Sequence, residues 1–247
     1  MSAPLVSVVI PFRGRRGYLA EAVASVLAQT HPAVELVLVD DGSGDGSAEM
    51  ASQLAPGAIL VRQEPTGAGS ARNAGLAAAG GDLLAMCDSD DLWEPGKLEL
   101  QVAAMRADPG LGAVLTLAQE FLSPELDAAS APVRPVPGER VGAIPSALLA
   151  TRETIERVGG FDDTRVGHWA DWYIRLVDSG IRVGVVPHVL VRRRVHLTNL
   201  GRIARAEQND YLRALKASLD RRRAAAVLPS WRSTRARSSF DGAVPHQ

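Results

Sequence analysis

The sequence has little cysteine, few aromatic residues and almost no net charge. Cys87 is the one cysteine among 247 residues, which excludes an internal disulfide bond and a cysteine-based zinc site. Aromatic residues make up 4% and hydrophobic residues 46%, so aliphatic side chains must fill most of a substantial α/β core. The formal net charge of -1 argues against a general nucleic-acid binder.

Long apolar runs are missing as well. No stretch approaches the roughly 20 apolar residues that a membrane helix needs, and residues 1–7 lack a secretory signal pattern. We therefore expect a protein of the reducing cytoplasm. From Arg202 to Gln247 there are ten Lys and Arg residues against four Asp and Glu. This basic tail suits peripheral contact with an anionic membrane surface, and a solvated terminal helix with a disordered end is the alternative.

Short β-branched runs alternate with segments of helical periodicity, which predicts a parallel sheet flanked by helices. Strands are predicted at Val6–Ile10, Val34–Val39, Ala58–Arg62, Leu83–Cys87, 114–116, Val183–Val186 and Val189–Val191. Helices are predicted from Leu19 to about Thr30, at Ala48–Leu54, after Gly67, from Trp93 to about Arg106, at Thr151–Val158 with Thr151 as N-cap, at Trp169–Asp178 and at 203–226. Residues 123–140 are predicted to be a surface loop.

Polar residues follow three of these strands, at Pro11–Arg13, Asp40–Ser43 and Asp88–Asp91. The carboxyl ends of parallel strands meet at one edge of a sheet, where ligands gather. Carboxylates placed close together repel one another unless a cation lies among them. We interpret Asp88 and Asp90 as holders of a divalent metal that in turn holds a diphosphate. The alternatives are a turn at Asp40–Asp41 and a solvated helix cap at Asp88–Asp91.

A glycine-rich segment, Gly67–Gly75, precedes an alanine-rich helix. Such a segment could cradle a phosphate at the start of the helix, but it matches neither the phosphate-binding loop with lysine nor the dinucleotide fingerprint. Arg72 adds a cation that would lie near a nucleotide.

Several motifs in a fixed order carry a family resemblance. They are Val8–Phe12, Val39–Ser43, Ala71–Asn73, Asp88–Asp91, Gly159–Asp162, Ala170–Trp172 with Arg175–Leu176, and Arg194–Asn199. Over about residues 5–200 the chain closely resembles family 2 glycosyltransferases, the inverting nucleotide-sugar transferases. The resemblance implies a GT-A-type, Rossmann-like fold, that is, a mostly parallel α/β sheet flanked by helices in a single domain.

The resemblance also implies metal-dependent transfer of a sugar from a nucleoside diphosphate sugar, for which we expect a UDP-sugar. The cofactor would be Mn²⁺ or Mg²⁺. The acceptor would be a hydroxyl group of a saccharide, a lipid-linked saccharide, a peptide or a small molecule. Residues 1–201 would form the transferase domain, with a donor half to about 115 and an acceptor half from 116, and residues 202–247 would form a basic helix and tail.

Individual donor-side roles follow from the matched motifs. The resemblance places the nucleobase at Asp41, the ribose and metal at Asp88, and the metal at Asp90, with His196 in a nearby loop as a further metal contact. The remaining donor-binding candidates are Pro11, Phe12, Arg13, Arg72 and Ser89. Phe12 and Arg13 stand where the family usually has Tyr-Asn.

On the acceptor side, the resemblance implies that Asp171 is the general base and approaches the sugar from the flank opposite the metal. Ala170 stands where the family usually has Glu. The alternative for Asp171 is a surface carboxylate paired with Arg175 one turn later. Trp169 and Trp172 are candidates for stacking on an acceptor sugar, with core packing as the alternative. His168 lies in no pattern that assigns it a role.

Two other functions remain open from the sequence. One is a nucleotidyltransferase that makes a nucleotide sugar, which Arg13–Gly17 faintly resembles although a lysine is missing. The other is a nucleotide-sugar-binding relative without turnover, which the missing Glu at Ala170 keeps open.

Overall fold

A computed structural model describes residues 2–162, 167–199 and 216–220. The strands in this part of the chain are β1 Val6–Phe12, β2 Val34–Asp41, β3 Ile59–Gln63, β4 Leu83–Met86, β5 Leu92–Trp93, β6 Ala113–Leu122, β7 Arg140–Val141, β8 Leu149–Thr151 and β9 Val183–Val195. The helices are α1 Arg16–Leu27, α2 Ser47–Leu54, α3 Ala68–Ala78, α4 Lys97–Ala107, α5 Arg152–Val158 and α6 His168–Asp178, with a 3₁₀ turn at Pro145–Ala147.

The strands form one mixed sheet in the order β3-β2-β1-β4-β8-β6-β9-β5, with β7 paired to β6 outside this path. The long ladders, β1 with β2 and β6 with β9, are parallel, as are β1 with β4 and β2 with β3. The short strand β8 runs antiparallel to both of its neighbours, so β4 and β6 point the same way. The carboxyl ends of β1, β2 and β4 therefore lie at one edge.

Two apolar clusters cover the two faces of the sheet. Helices α1, α2 and α4 pack on one face, and α3, α5 and α6 pack on the other. Alternate residues of β1 divide between the clusters: Val8 and Ile10 belong to the first and Val9 to the second, as the two-residue period of a strand requires. Gly75 lets α3 approach closely, because a Cβ there would lie 2.3 Å from Val9 Cγ1.

The structure corrects several predicted boundaries. Strand β1 continues through Pro11, where it pairs with β2 alone, so the missing N–H breaks no ladder toward β4. The two strands predicted around Pro187 are one strand, because an irregularity in the register with β6 accommodates the proline. That strand also extends beyond the predicted end at Val191 and includes Arg192 and Val195.

Two further differences concern helices. Leu92–Trp93 forms the short strand β5, so the helix predicted from Trp93 begins at Lys97. Thr151 is the N-cap of α5 as predicted, since its side chain accepts a hydrogen bond from the Thr154 N–H. The helix predicted at 203–226 and the basic tail lie outside the described residues, apart from the helical segment 216–220. Its Ser218 Oγ donates to Asp178 Oδ2 at 2.8 Å.

Candidate active site

A cavity of about 770 Å³ opens at the carboxyl ends of β1, β2 and β4. We call its first side the strand wall, formed by Pro11, Phe12, Arg13, Asp41, Arg72, Asp88, Ser89 and Asp90. We call its second side the helix wall, formed by Ile144, Pro145, His168, Trp169, Ala170, Tyr173 and Ile174. The structure thus brings every predicted donor-binding residue to one cavity, together with Asp90.

Asp41 ends β2 and ties the strand wall to the loop that follows β3. Its carboxylate accepts hydrogen bonds from the backbone N–H groups of Thr66, at 2.8 Å, and Gly67, at 3.0 Å, and from Gln63 Nε2 at 2.8 Å. Asp40 instead stabilises a local turn, in which its Oδ1 accepts a hydrogen bond from the Ser43 N–H. Of this pair, Asp41 is the one that lines the cavity.

Arg72 links the two walls. Its Nη2 donates to Asp88 Oδ1 at 2.5 Å, and its Nη1 contacts His168 Nε2. The side chain is buried, and its Nε has no hydrogen-bond partner within the described part of the chain. A buried guanidinium with an unpaired N–H beside a cavity is suited to accept an anionic ligand, because the ligand would supply the missing acceptor.

Asp90 is surrounded by cationic and polar side chains. Its Oδ2 lies 2.9 Å from His196 Nε2 and 3.3 Å from Arg15 Nη1. Burial opposes the charge of this carboxylate, but the hydrogen bond from His196 and the nearby Arg15 charge hold the pKa of Asp90 below its ordinary value. Arg15 makes these contacts from a left-handed backbone conformation with φ of 63°, and its Nη2 also donates to Thr198 O.

His196 forms a hydrogen bond with Asp90, and its predicted contact with a metal stays a prediction. The Thr198 N–H donates to His196 Nδ1 at 3.2 Å, so in the neutral ring Nε2 carries the proton and donates it to Asp90. His196 therefore orients the Asp90 carboxylate.

Asp91 belongs to the support beneath the strand wall. Its side chain is buried and accepts hydrogen bonds from Ser146 Oγ at 2.6 Å and from the Arg194 N–H at 3.1 Å. Burial, together with the charges of Asp90 and Asp88, raises the pKa of Asp91 well above its ordinary value. The adjacent Cys87 is free and buried, and burial raises the pKa of its thiol.

The residues present fit a divalent metal only as a partial ligand set. Within the described residues, no group of three or more His, Cys, Asp or Glu side chains is arranged to hold a metal ion. Asp88 and Asp90 nevertheless offer two carboxylates on one cavity wall. Mg²⁺ in phosphate-binding sites is commonly held by one or two carboxylates plus substrate phosphates, so this pair fits an ion that arrives with a diphosphate.

Of the two tryptophans predicted on the acceptor side, only one lines the cavity among the described residues. Trp169 lines the cavity, and its Nε1 donates to Ala143 O at 2.8 Å. Trp172 is fully buried, stacks on Phe161 with ring centroids 5.4 Å apart, and donates to Gly159 O. The prediction that Trp172 contacts an acceptor is therefore wrong, because it belongs to the core.

The structure also corrects the placement of Asp171. Among the described residues, α6 lines the cavity with His168, Trp169, Ala170, Tyr173 and Ile174, and Asp171 is not one of them. Asp171 Oδ2 accepts from Arg175 Nε at 2.7 Å. The guanidinium of Arg175 also donates to Val158 O and Gly160 O, so this pair clamps α6 to the end of α5.

His168 is the cavity residue that the sequence did not reveal. It begins α6, is buried, and reaches Arg72 across the cavity floor. The available signal was helical spacing, since His168 lies four residues before Trp172 and eight before Leu176, both of which are fully buried.

The chain is similar in sequence to known glycosyltransferases. The profile of the family described as Glycosyl transferase family 2 matches residues 7–133. An uncharacterized glycosyltransferase of Nostoc sp. is 36% identical over 211 residues, which cover 78% of this chain and 66% of the relative. The chain spans 31% to 66% of the length of four curated relatives.

Solved structures share the fold. S. aureus TarS 1-349 in complex with UDP-GlcNAc aligns with a TM-score of 0.68 at 18% identity, covering 87% of this chain and 65% of that one. The mannosyltransferase PcManGT from Pyrobaculum calidifontis, in complex with GDP-Man and Mn²⁺, aligns with a TM-score of 0.62 at 22% identity, covering 93% and 77%. The predicted GT-A-type α/β fold is confirmed. No helix among the described residues is long and apolar enough to cross a membrane.

Proposed function

The chain belongs to glycosyl transferase family 2, and from that premise we propose that it transfers a sugar from a nucleoside diphosphate sugar to a hydroxyl acceptor. The observation that carries the proposal is the convergence of Asp41, Asp88 and Asp90 on one cavity. These three carboxylates come from two strand ends about fifty residues apart in sequence, yet they share a wall with a buried arginine.

The strand wall is suited to the donor. Asp41 lies beside Pro11 and Phe12, where a nucleobase N–H could donate to its carboxylate. Asp88 pairs with Arg72 on the same wall and would accept from a ribose hydroxyl. Arg72, with its unpaired Nε, would donate to the diphosphate. The relatives whose structures contain UDP-GlcNAc or GDP-Man support a nucleotide sugar as the donor, and we propose a UDP-sugar.

A divalent metal would be held by Asp88 and Asp90 together with the donor diphosphate. When bound, Mn²⁺ or Mg²⁺ stabilises negative charge on the leaving diphosphate. Arg15 and His196 both contact Asp90 Oδ2 and would hold the carboxylate in place for that role. The Mn²⁺ in the similar PcManGT supports this assignment.

The helix wall is suited to the acceptor. Trp169 and Tyr173 stack with ring centroids 6.0 Å apart, and Ile144 and Ile174 add apolar surface beside them. Flat aromatic surfaces of this kind bind the apolar face of a sugar ring, so we propose a saccharide acceptor. Single in-line displacement between the two walls would invert the configuration at the anomeric carbon.

The proposal is tested by incubating the protein with UDP-glucose, UDP-GlcNAc and GDP-mannose, each with Mn²⁺ or with EDTA. We expect release of the nucleoside diphosphate from one donor, dependent on Mn²⁺, at first with water as acceptor. Pyrophosphate production from UTP and a sugar phosphate would support the nucleotidyltransferase instead. Tight binding of a donor without any release would support the relative that lacks turnover.

A further inference from the structure

The transfer proposed above needs a group that takes the proton of the acceptor hydroxyl, and Asp171 does not line the cavity. The other lining carboxylates belong to the strand wall. Asp41 accepts three hydrogen bonds, and Asp88 and Asp90 face arginines beside the leaving group. Asp91 is buried and engaged by Ser146 and Arg194. Within the described residues of the helix wall, His168 is therefore the side chain able to accept a proton near neutral pH.

Arg72 and the dipole of α6 both act on the His168 ring. Arg72 Nη1 donates to Nε2, so Nε2 carries a lone pair and not a proton. His168 is also the first residue of α6, where the positive end of the helix dipole disfavours an imidazolium. Asp88 pairs with Arg72 on its other side, so the imidazole faces an ion pair and not an isolated cation. A neutral imidazole with its lone pair at a cavity wall is the form that a general base needs.

We propose that His168 is the general base of the transfer. The acceptor hydroxyl gives its proton to His168 Nε2 as its oxygen forms a bond to the anomeric carbon. The bond between the anomeric carbon and the diphosphate oxygen breaks, and its electron pair stays on the diphosphate. Arg72 Nη1, drawn from Nε2 by the bound donor before this step, donates together with the unpaired Nε to the departing diphosphate. The imidazolium returns the proton to solvent after the products leave.

This assignment couples the two walls through a single arginine. In this structure, Arg72 Nη1 occupies the lone pair of His168. A bound diphosphate competes for the same guanidinium and frees Nε2. The base is therefore available when the donor is in place, which limits proton abstraction in the empty site.

The proposal rests on the proposed function, and the experiment separates the two. Wild type, His168→Gln, His168→Ala and the matched control Asp171→Asn are compared for donor Kd by calorimetry and for diphosphate release with Mn²⁺. Thermal melts verify that each variant is folded. We expect both His168 variants to bind donor within a few fold of wild type and to lose about 10²- to 10⁴-fold in kcat. Free imidazole should restore part of the turnover of His168→Ala, and Asp171→Asn should turn over like wild type.

Each other result overturns the assignment. A glutamine oxygen can accept from Arg72 but is no base, so near-normal kcat in His168→Gln would show that His168 only positions Arg72. Loss of turnover in Asp171→Asn with retention in the His168 variants would restore Asp171 as the base. If wild type binds and consumes none of the three donors, the proposed function fails and the base assignment fails with it. If wild type is active and His168→Ala is equally active, the base assignment fails while the proposed function stands.

Discussion

The strand wall and the helix wall of the cavity are built on different principles. Each carboxylate of the strand wall lies at or just beyond the end of a strand whose register is fixed by its neighbours. Asp41 accepts three hydrogen bonds, Asp90 contacts Arg15 and His196, and Asp88 pairs with Arg72. The helix wall depends on one helix, α6, where a rotation of 100° per residue decides which side chain faces the cavity. Which residues reach the cavity can therefore be predicted more reliably at a strand end than on a helix.

The largest expected effect comes from removing charge from the strand wall. Asp90→Asn should lower diphosphate release by about 10³-fold or more, because the leaving group loses a carboxylate that holds its cation. Steady-state kinetics with saturating Mn²⁺ measures the loss. Asp40→Asn is the matched control, since an asparagine oxygen can still accept from the Ser43 N–H. Equal losses in the two variants would contradict the division of roles between Asp40 and Asp90.

The two tryptophans of α6 test the helix wall directly. Trp172→Ala should lower the free energy of unfolding by about 3–5 kcal/mol, because it leaves a cavity in the core. Trp169→Ala should have a small effect on stability and should raise the acceptor KM about tenfold, consistent with about 1 kcal/mol of stacking. Urea denaturation and acceptor titration give the two quantities. If Trp169→Ala caused the large loss of stability and Trp172→Ala raised the acceptor KM, the core-facing and cavity-facing tryptophans of α6 would have been assigned the wrong way round.

A buried lysine beneath the strand wall predicts a pH dependence of stability. Lys97 is fully buried, its Nζ bonds Gln101 Oε1 at 2.9 Å, and burial lowers its pKa to about 7. Between that value and the ordinary pKa near 10.5, the unfolded chain binds a proton that the folded chain does not, so stability rises with pH in this window. Lys97→Met should remove a slope of up to about 1.4 kcal/mol per pH unit. Urea midpoints at pH 7, 8 and 9 measure this slope. If the unfolding free energies of wild type and Lys97→Met changed equally with pH, the buried neutral lysine would be contradicted.

The smallest expected effect on activity is that of Asp171→Asn. The variant should keep its kcat within about threefold, because Asp171 does not line the cavity and is paired with Arg175. It should lose about 1–2 kcal/mol of unfolding free energy, since the charge-assisted hydrogen bond to Arg175 is weakened. Thermal and urea melts measure the loss. Arg175→Lys should show a similar loss of stability, because lysine cannot span Asp171, Val158 and Gly160 together.

The alternation of strands and helices in the first half of the chain could be predicted because each β-strand is a short β-branched run bounded by a turn. The same regularity placed Asp41, Asp88 and Asp90 at one edge of the sheet. Glycine-rich sequence was less informative, because Gly75 serves close packing of α3 on Val9. The single strand across Pro187 could not be predicted, since the compensating irregularity depends on its pairing with β6.

The helix wall could not be predicted because its key contacts are tertiary. The motif around Asp171 indicates a base only if the helix presents that face, and Arg175 four residues later was the sequence signal for a structural pair. His168 reaches Arg72 from 96 residues away in sequence, a contact that no local pattern contains. The roles of the site residues remain predictions.

The central claim is that Asp88 and Asp90 hold the diphosphate of a nucleotide sugar through a divalent cation. Calorimetric titration of each donor into wild type and Asp90→Asn, with Mn²⁺ and with EDTA, tests it most directly. We predict donor binding to wild type with Mn²⁺, and binding weakened at least 100-fold by EDTA or by Asp90→Asn. Equal donor affinity in all four conditions would contradict the claim.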